Sequence, residues 1–328
     1  MQRPAKPCTP VRFRPPPPIP FTRYPCRASA CPDGEIGRHK GLKIPRALTA
    51  HAGSIPAPGT IPAPTSFQME RISSRQNAHV KQAHKLAESA RERAKSGRTL
   101  LDGSRLIGAY AKQFGVKAVT LLVSEQGAHR PEVHELVEAV EPRRVYLLAD
   151  DLFDEITQVE TPEGVAAIVD IPRIETRSPD DFRVVLDGVQ DPGNVGGLLR
   201  TAAAAGATSA YLAKGCADAW SPKSLRGGMG AQFVLPVRER VDLSAALSGF
   251  KGSVIATSPR AKKSIFEVDL TGPVAMIFGG EGRGVGEGGL GIATQLVHIP
   301  MARKVESLNV AAAAAVCCFE RLRQTRKS

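Results

Sequence analysis

From residue 70 onward the chain alternates short apolar runs of strand type with stretches whose apolar positions recur every three to four residues. Asn77 is placed to cap a helix running to about Ala94. Strand-type runs follow at Arg98–Leu101, Ala118–Val123, Arg143–Leu148 and Gly164–Val169, with helix-type runs between them near Ser104–Phe114, Pro131–Ala139 and Asp150–Gln158. From Ile171 to Asp181 the period is lost, charges accumulate and Pro172 and Pro179 appear, which marks a linker. The alternation resumes at Arg183–Asp187, Ser209–Ala213, Gln232–Pro236, Ser253–Thr257, Val274–Phe278 and Gln295–Ile299, and ends in a helix-type run at Ser307–Gln324. This order predicts two α/β units, the second a mostly parallel sheet covered on both faces. The predicted division is a head at 1–68, a first domain at 69–172, a linker at 173–181 and a second domain at 182–328.

The head follows neither period. It holds 15 of the 26 prolines, including Pro15 to Pro18 in a row. Such a segment buries too little apolar surface to offset its ordering entropy, so disorder is expected. Three roles fit: a basic arm tracking phosphates, a transit-type leader with few acids, or an over-extended reading frame. The last is preferred, with translation from Met69, because organised sequence begins at Glu70-Arg-Ile-Ser-Ser-Arg-Gln-Asn77.

Charge sharpens the division. Of the net +12, residues 1–68 carry +8 from 10 Lys and Arg against 2 Asp and Glu, and the other 260 residues carry only +4 from 34 against 30. A basic patch for nucleic acid is therefore allowed by the total but not demanded by it. The first helix and its flanks carry Arg71, Arg75, Lys81, Lys85, Arg91, Arg93, Lys95 and Arg98, a candidate phosphate-contacting surface, although Glu88 and Glu92 also suit a merely solvated face. His79 and His84 are expected on that helix's surface. The six cysteines show no disulfide or zinc spacing, and adjacent Cys317 and Cys318 read as small core residues. No metal is expected. With no run of eighteen apolar residues, a reducing, cytoplasmic setting fits best.

Candidate chemistry gathers where three strand-type runs end, the edge at which α/β sheets bind ligands. The first segment is Asp187-Gly-Val-Gln-Asp-Pro-Gly-Asn194-Val-Gly-Gly-Leu-Leu-Arg200-Thr, in which Asn194 is a good helix cap and Arg200 falls within two turns of that start. The second is Phe278-Gly-Gly-Glu281-Gly-Arg-Gly284, whose glycines leave backbone amides uncovered for a ligand. The third is Ile299-Pro-Met301-Ala-Arg-Lys-Val-Glu306-Ser307-Leu308-Asn309-Val, in which Ser307 suits a cap for the last helix. Gly286-Glu-Gly288-Gly-Leu-Gly291 matches a dinucleotide fingerprint in spacing only. It does not directly follow a strand, and no strand-ending acid lies about 20 residues later, so NAD is rejected. The lone Trp220 has burial as its commoner fate, with base stacking as the other reading.

These three segments, in this order, resemble the motifs of the SpoU (TrmH-like) RNA 2′-O-ribose methyltransferases of the SPOUT superfamily, from about Arg183 to Arg323. The link Ser221-Pro-Lys-Ser-Leu-Arg226-Gly-Gly-Met-Gly230-Ala-Gln-Phe233 is similar to the family as well. In the first domain, Leu100-Leu-Asp-Gly103-Ser-Arg105-Leu-Ile and Thr161-Pro-Glu-Gly-Val-Ala-Ala resemble the opening and close of an L30e-like substrate-binding domain. The resemblance implies a small L30e-like α/β domain ahead of a SPOUT sheet whose C-terminal part is tied into a trefoil knot.

It further implies S-adenosylmethionine as cofactor, held by Gly279, Gly280, Gly282, Ile299, Met301 and Leu308. A catalytic set of Asn194, Arg200, Glu281, Ser307 and Asn309 comes with it. RNA contacts are expected at Arg75, Lys81, Lys85, Lys223 and Arg226, with Arg238 and Arg303 as further candidates. Arg200 is the residue the family uses on the ribose 2′-hydroxyl. Arginine is effectively always protonated, so Arg200 is read as stabilising the developing alkoxide, with a perturbed Arg200 base as the other reading. The resemblance implies a homodimer that the alanine-rich last helix helps to build, whereas alanine-rich packing alone would allow a purely intramolecular core. The expected substrate is 23S-type ribosomal RNA. The alternatives are a transfer-RNA 2′-O-methyltransferase, a base-nitrogen methyltransferase of the same fold, and a catalytically silent RNA-binding or ribosome-assembly protein.

Overall fold

A computed structural model of the chain describes residues 69–117, 119–140, 144–176, 179–302 and 307–326. The head at 1–68 and Arg303 lie outside the described residues. The first lobe runs β1 (Glu70–Ile72), α1 (Ala78–Glu88), α2 (Ala90–Ser96), β2 (Arg98–Asp102), α3 (Ser104–Phe114), β3 (Thr120–Ser124), α4 (Pro131–Ala139), β4 (Val145–Leu148), α5 (Asp150–Asp154) and β5 (Val165–Asp170). The single helix expected after Asn77 is two. Asn77 caps α1 by accepting His79 N–H at 2.8 Å. Ser89 then breaks the helix by taking an extended conformation and starts α2 by accepting Glu92 N–H at 3.2 Å. The strands form one mixed sheet in the order β1-β4-β3-β5-β2, with β5 antiparallel to β2 and β3.

The second lobe runs β6 (Phe182–Asp187), α6 (Pro192–Ala204), β7 (Ser209–Ala213), α7 (Pro222–Gly228), β8 (Val237–Val241), α8 (Leu243–Leu247), β9 (Ser253–Thr257), β10 (Lys263–Ser264), β11 (Val274–Gly279), α9 (Glu287–Ile292), β12 (Gln295–His298) and α10 (Val310–Thr325). Its seven strands pair in the order β10-β12-β9-β11-β6-β7-β8, and every pair is parallel. The central strands bury both faces. On β11, Val274, Met276 and Phe278 enter one core while Ala275 and Ile277 enter the other, and on β6 Val184 and Leu186 oppose Val185 in the same way. The expected strand at Gln232–Pro236 is instead a tight 3-10 turn at Ala231–Phe233, with β8 following it.

One apolar core continues from the first lobe into the second. Across it Tyr110 and Phe114 of α3 meet the edge of Phe233, and Thr99 Oγ1 donates to the carbonyl of buried Trp220 at 2.6 Å. Arg93, read in the sequence as a possible phosphate contact, is only 4% exposed. It donates to Asp218 Oδ2 at 2.6 Å and to the carbonyls of Leu86 and Ala87, so it joins the lobes rather than facing solvent. Cys317 and Cys318 are buried core residues, and His79 is half-buried against Tyr146. Among the described residues no helix is long and apolar enough to cross a membrane.

Candidate active site

The three motifs meet at the carboxyl edge of the second sheet. β6 and β11 pair with Asp187 opposite Gly279, so the segments leaving them start side by side. Asp191 caps α6 by accepting Asn194 N–H at 2.9 Å, and Pro192 occupies the first helical position, where its missing N–H costs nothing. A hydrogen bond from Lys223 Nζ at 2.9 Å, then the Asn194 N–H, hold the Asp191 carboxyl below the usual carboxylate range. Asn194 is therefore not the cap expected from sequence, and its side chain is free for other work.

That work is done on Glu281. Asn194 Nδ2 donates to Glu281 Oε1 at 2.9 Å, and Asn309 Nδ2 donates to the same oxygen at 2.7 Å and to Asn194 Oδ1 at 3.0 Å. Asn309, not Ser307, caps α10. Its Oδ1 accepts Ala311 N–H at 3.0 Å and Ala312 N–H at 3.3 Å. One amide from the first motif and one from the third thus converge on a single carboxylate oxygen of the second. Glu281 Oε2 accepts no hydrogen bond among the described residues.

Glu281 sits on a hairpin whose first two glycines are demanded by close approach. A Cβ on Gly279 would stand 1.9 Å from the carbonyl carbon of Gly284, and one on Gly280 would stand 2.4 Å from the carbonyl oxygen of Gly188. On one side of the hairpin lies a cavity of about 470 Å³ lined by Gly279, Gly280, Gly282, Ile299, Met301 and Leu308, the full set expected to hold cofactor. Glu281 and Ser307 also line it. Its apolar floor of Val285, Leu290 and Val297 suits a flat heteroaromatic ring, and its size falls within the range of small-molecule sites. On the other side lies a cavity of about 590 Å³ lined by Asp187, Gln190 and Asn194, which shares Gly280 through Gly284 with the first.

Sequence reasoning missed the contribution of β9. Thr257, Ser258 and Arg260 line the first cavity, as does His298 at the end of β12. The signal was a Ser-Pro pair closing an apolar run, but only the placement of β9 between β11 and β12 brings it to the site. Arg200, by contrast, is exposed on α6, lines neither cavity and has no ionic partner among the described residues. Of the expected RNA contacts, Lys81 and Lys85 are exposed on α1, and Arg75 is ion-paired with Glu155. Lys223 is held by Asp191 beside the site, and half-buried Arg226 lies 3.3 Å from Asp102 of the first lobe.

Comparison with known proteins adds a second line of observation. Residues 181–319 match the model of the SpoU rRNA methylase family, and residues 77–167 match an MRM3-like substrate-binding domain. A Synechocystis protein named as an uncharacterized tRNA/rRNA methyltransferase is 34% identical over 269 residues, covering 80% of this chain and 96% of that protein. The 23S rRNA (guanosine(2553)-2′-O)-methyltransferase RlmP of Bacillus subtilis is 31% identical over 254 residues, covering 76% and 98%. The solved structure of the SpoU methyltransferase AviRb from Streptomyces viridochromogenes, in complex with AdoMet, superposes with a TM-score of 0.69 at 29% identity and covers 77% of this chain and 99% of that one.

Proposed function

The chain belongs to the SpoU rRNA methylase family, and we infer from that premise that it is an S-adenosylmethionine-dependent methyltransferase acting on the ribose 2′-oxygen of ribosomal RNA. The observation that carries this reading is the convergence of Asn194, Glu281 and Asn309 on the hairpin between two cavities. We assign the 470 Å³ cavity to the cofactor and the 590 Å³ cavity to the target nucleotide. Bound there, S-adenosylmethionine supplies an electrophilic methyl group. The chain supplies orientation. Asn194 and Asn309 hold Glu281 Oε1, which leaves Oε2 for a donor on the substrate beside the shared wall. Arg200, which lines neither cavity, is assigned from the exposed face of α6 to the developing 2′-alkoxide, whose proton passes to water or an RNA phosphate. Ser307 lies at the rim of the cofactor cavity, where its hydroxyl can help align the reacting groups.

The finer features belong to the same proposal. The first lobe presents Arg75, Lys81 and Lys85 to RNA phosphates and so positions the substrate; the match to a substrate-binding domain supports that role. A trefoil knot is supported by β11 lying between β9 and β6, with α10 returning against α6. A homodimer is supported by large apolar side chains left open on β12, the third motif and α10, namely Leu296, Leu308 and Phe319. The ribosomal RNA substrate supports the proposed cytoplasmic setting.

The deciding experiment maps ribose methylation in all ribosomal and transfer RNA of a deletion strain beside its parent. One 2′-O-methyl mark missing from large-subunit RNA is expected. Loss from transfer RNA would correct the substrate, and an unchanged map with no binding of radiolabelled S-adenosylmethionine by the pure protein would overturn the reading.

A further inference from the structure

Asp187, the last residue of β6, holds the glycine hairpin at two points. Its carbonyl oxygen accepts Gly280 N–H at 3.1 Å where the hairpin begins. Its carboxylate Oδ2 accepts Gly286 N–H at 2.8 Å just after the hairpin ends. Between those points the chain closes on itself, with Gly284 N–H donating to Gly280 O at 2.8 Å. The sequence makes room for the second contact. A Cβ at Gly286 would stand 3.2 Å from Asp187 Oδ2, and one at Gly289 would stand 3.0 Å from it, so a side chain at either place would press on the carboxylate. One residue therefore fixes both ends of the segment that carries Glu281 and walls both cavities.

We propose that Asp187 is a positioning residue for the cofactor, ordering the Gly280–Gly284 hairpin and Glu281 before the cofactor arrives. The proposal rests on assigning the 470 Å³ cavity to S-adenosylmethionine. A hairpin already held at both ends loses little freedom when ligand binds. One released at its exit must be ordered by the ligand, and affinity falls accordingly. The effect is confined to the cofactor step, because RNA affinity is dominated by phosphate contacts spread over other surfaces.

The bond can be removed from either side. Asp187→Ala deletes the acceptor. Gly286→Pro deletes the donor at a backbone φ of −71°, which the proline ring can adopt, but it sets ring carbons against the carboxylate, so it is also measured in the Asp187→Ala background, where that crowding is gone. Asp187→Asn keeps an acceptor oxygen in the same place. In the full chain, calorimetry with S-adenosylmethionine and filter binding with an unmodified ribosomal RNA transcript give the two affinities. Asp187→Ala and Gly286→Pro are expected to weaken cofactor binding about tenfold or more and RNA binding by less than about twofold. The double variant should be no weaker than either single, since both remove one bond, and Asp187→Asn should stay near wild type. Wild-type cofactor affinity in both single variants, additive losses in the double variant, or an Asp187→Asn loss as deep as that of alanine would each overturn the proposal. Should Asp187→Ala not fold, Asp187→Ser, whose hydroxyl is too short to reach Gly286 N–H, set against Asp187→Asn decides the same point. A wild-type protein that binds no S-adenosylmethionine would instead overturn the assignment of the cavity.

Discussion

Asn309 donates its side-chain amide to Glu281 Oε1 at 2.7 Å while its own carbonyl oxygen caps α10. The start of the last helix and the orientation of the hairpin carboxylate are thus set by one side chain. Substitution can separate the two duties. Asn309→Ala should cost about 1 kcal/mol through the lost cap and also slow methyl transfer. Asn309→Ser retains a capping oxygen but lacks the amide that reaches Glu281. It is expected to melt near the wild-type temperature while its rate falls about tenfold. A serine variant with wild-type rate would remove Glu281 orientation from the account.

Arg200 offers the opposite case, a side chain with no structural duty among the described residues. It is exposed on α6, pairs with no acid and touches neither cavity. Arg200→Ala should therefore leave stability within about 0.5 kcal/mol of wild type and cofactor affinity unchanged. Loss of charge stabilisation at the alkoxide should lower the single-turnover rate by about 10²–10³-fold. The check is single-turnover methylation of ribosomal RNA at saturating cofactor, with a thermal melt alongside. Unaltered turnover would withdraw Arg200 from the reaction.

The contrast between these residues explains what could be read from the chain alone. Strands such as β6 and β11 were legible because both faces are buried, so the apolar runs are continuous and end cleanly at Asp187 and Gly279. The residues expected to hold cofactor could be picked out as neighbours of one cavity because they lie on the segments that leave such runs. The caps were misplaced by two or three residues. Asn194 and Ser307 are good capping types, but Asp191 and Asn309 take the role once Asn194 is drawn to Glu281. The apolar character of Ala231–Val234 suggested a strand, yet it arises from packing between lobes. Phe233 fills the contact with Tyr110, and buried Gln232 donates its amide to the carbonyls of Ala219 and Ser224. The burial of Arg93 could not be read at all, because in sequence it is one cation among eight on a basic helix and its flanks.

Burial makes Arg93 a structural residue of the contact between lobes. Its guanidinium is satisfied by Asp218 and two carbonyls, and Trp220, the single tryptophan, lies next along the chain from Ala219 at the same contact. Arg93→Met should destabilise the protein by about 3–5 kcal/mol, because Asp218 is left as an uncompensated charge at a buried contact. Adding Asp218→Asn should recover most of the loss. Trp220 emission reports the same event, shifting to the red at lower denaturant in Arg93→Met than in the double variant. Equal transitions in wild type and Arg93→Met would show that the pair contributes nothing net.

Glu239 makes this contact sensitive to pH. Its carboxylate accepts Ala219 N–H at 2.8 Å, and burial, followed by the nearby charge of Asp218, pushes its pKa up to about 7; Arg240 and Arg93 oppose the rise. The folded protein therefore holds a proton that the unfolded chain, with an ordinary carboxyl near 4.5, releases. The stabilisation is complete below the unfolded value and is lost as pH rises through the folded one. It amounts to at most about 3 kcal/mol, shared with Asp218. Glu239→Gln keeps an acceptor for Ala219 and removes the titration. Its melting temperature should match wild type at about pH 5 and exceed it by several degrees at about pH 8. Asp191 and Glu163, whose carboxyls are held low, lose their stabilisation only at more acidic pH and cancel in the comparison. A difference between variant and wild type that does not change with pH would place the proton elsewhere in the cluster.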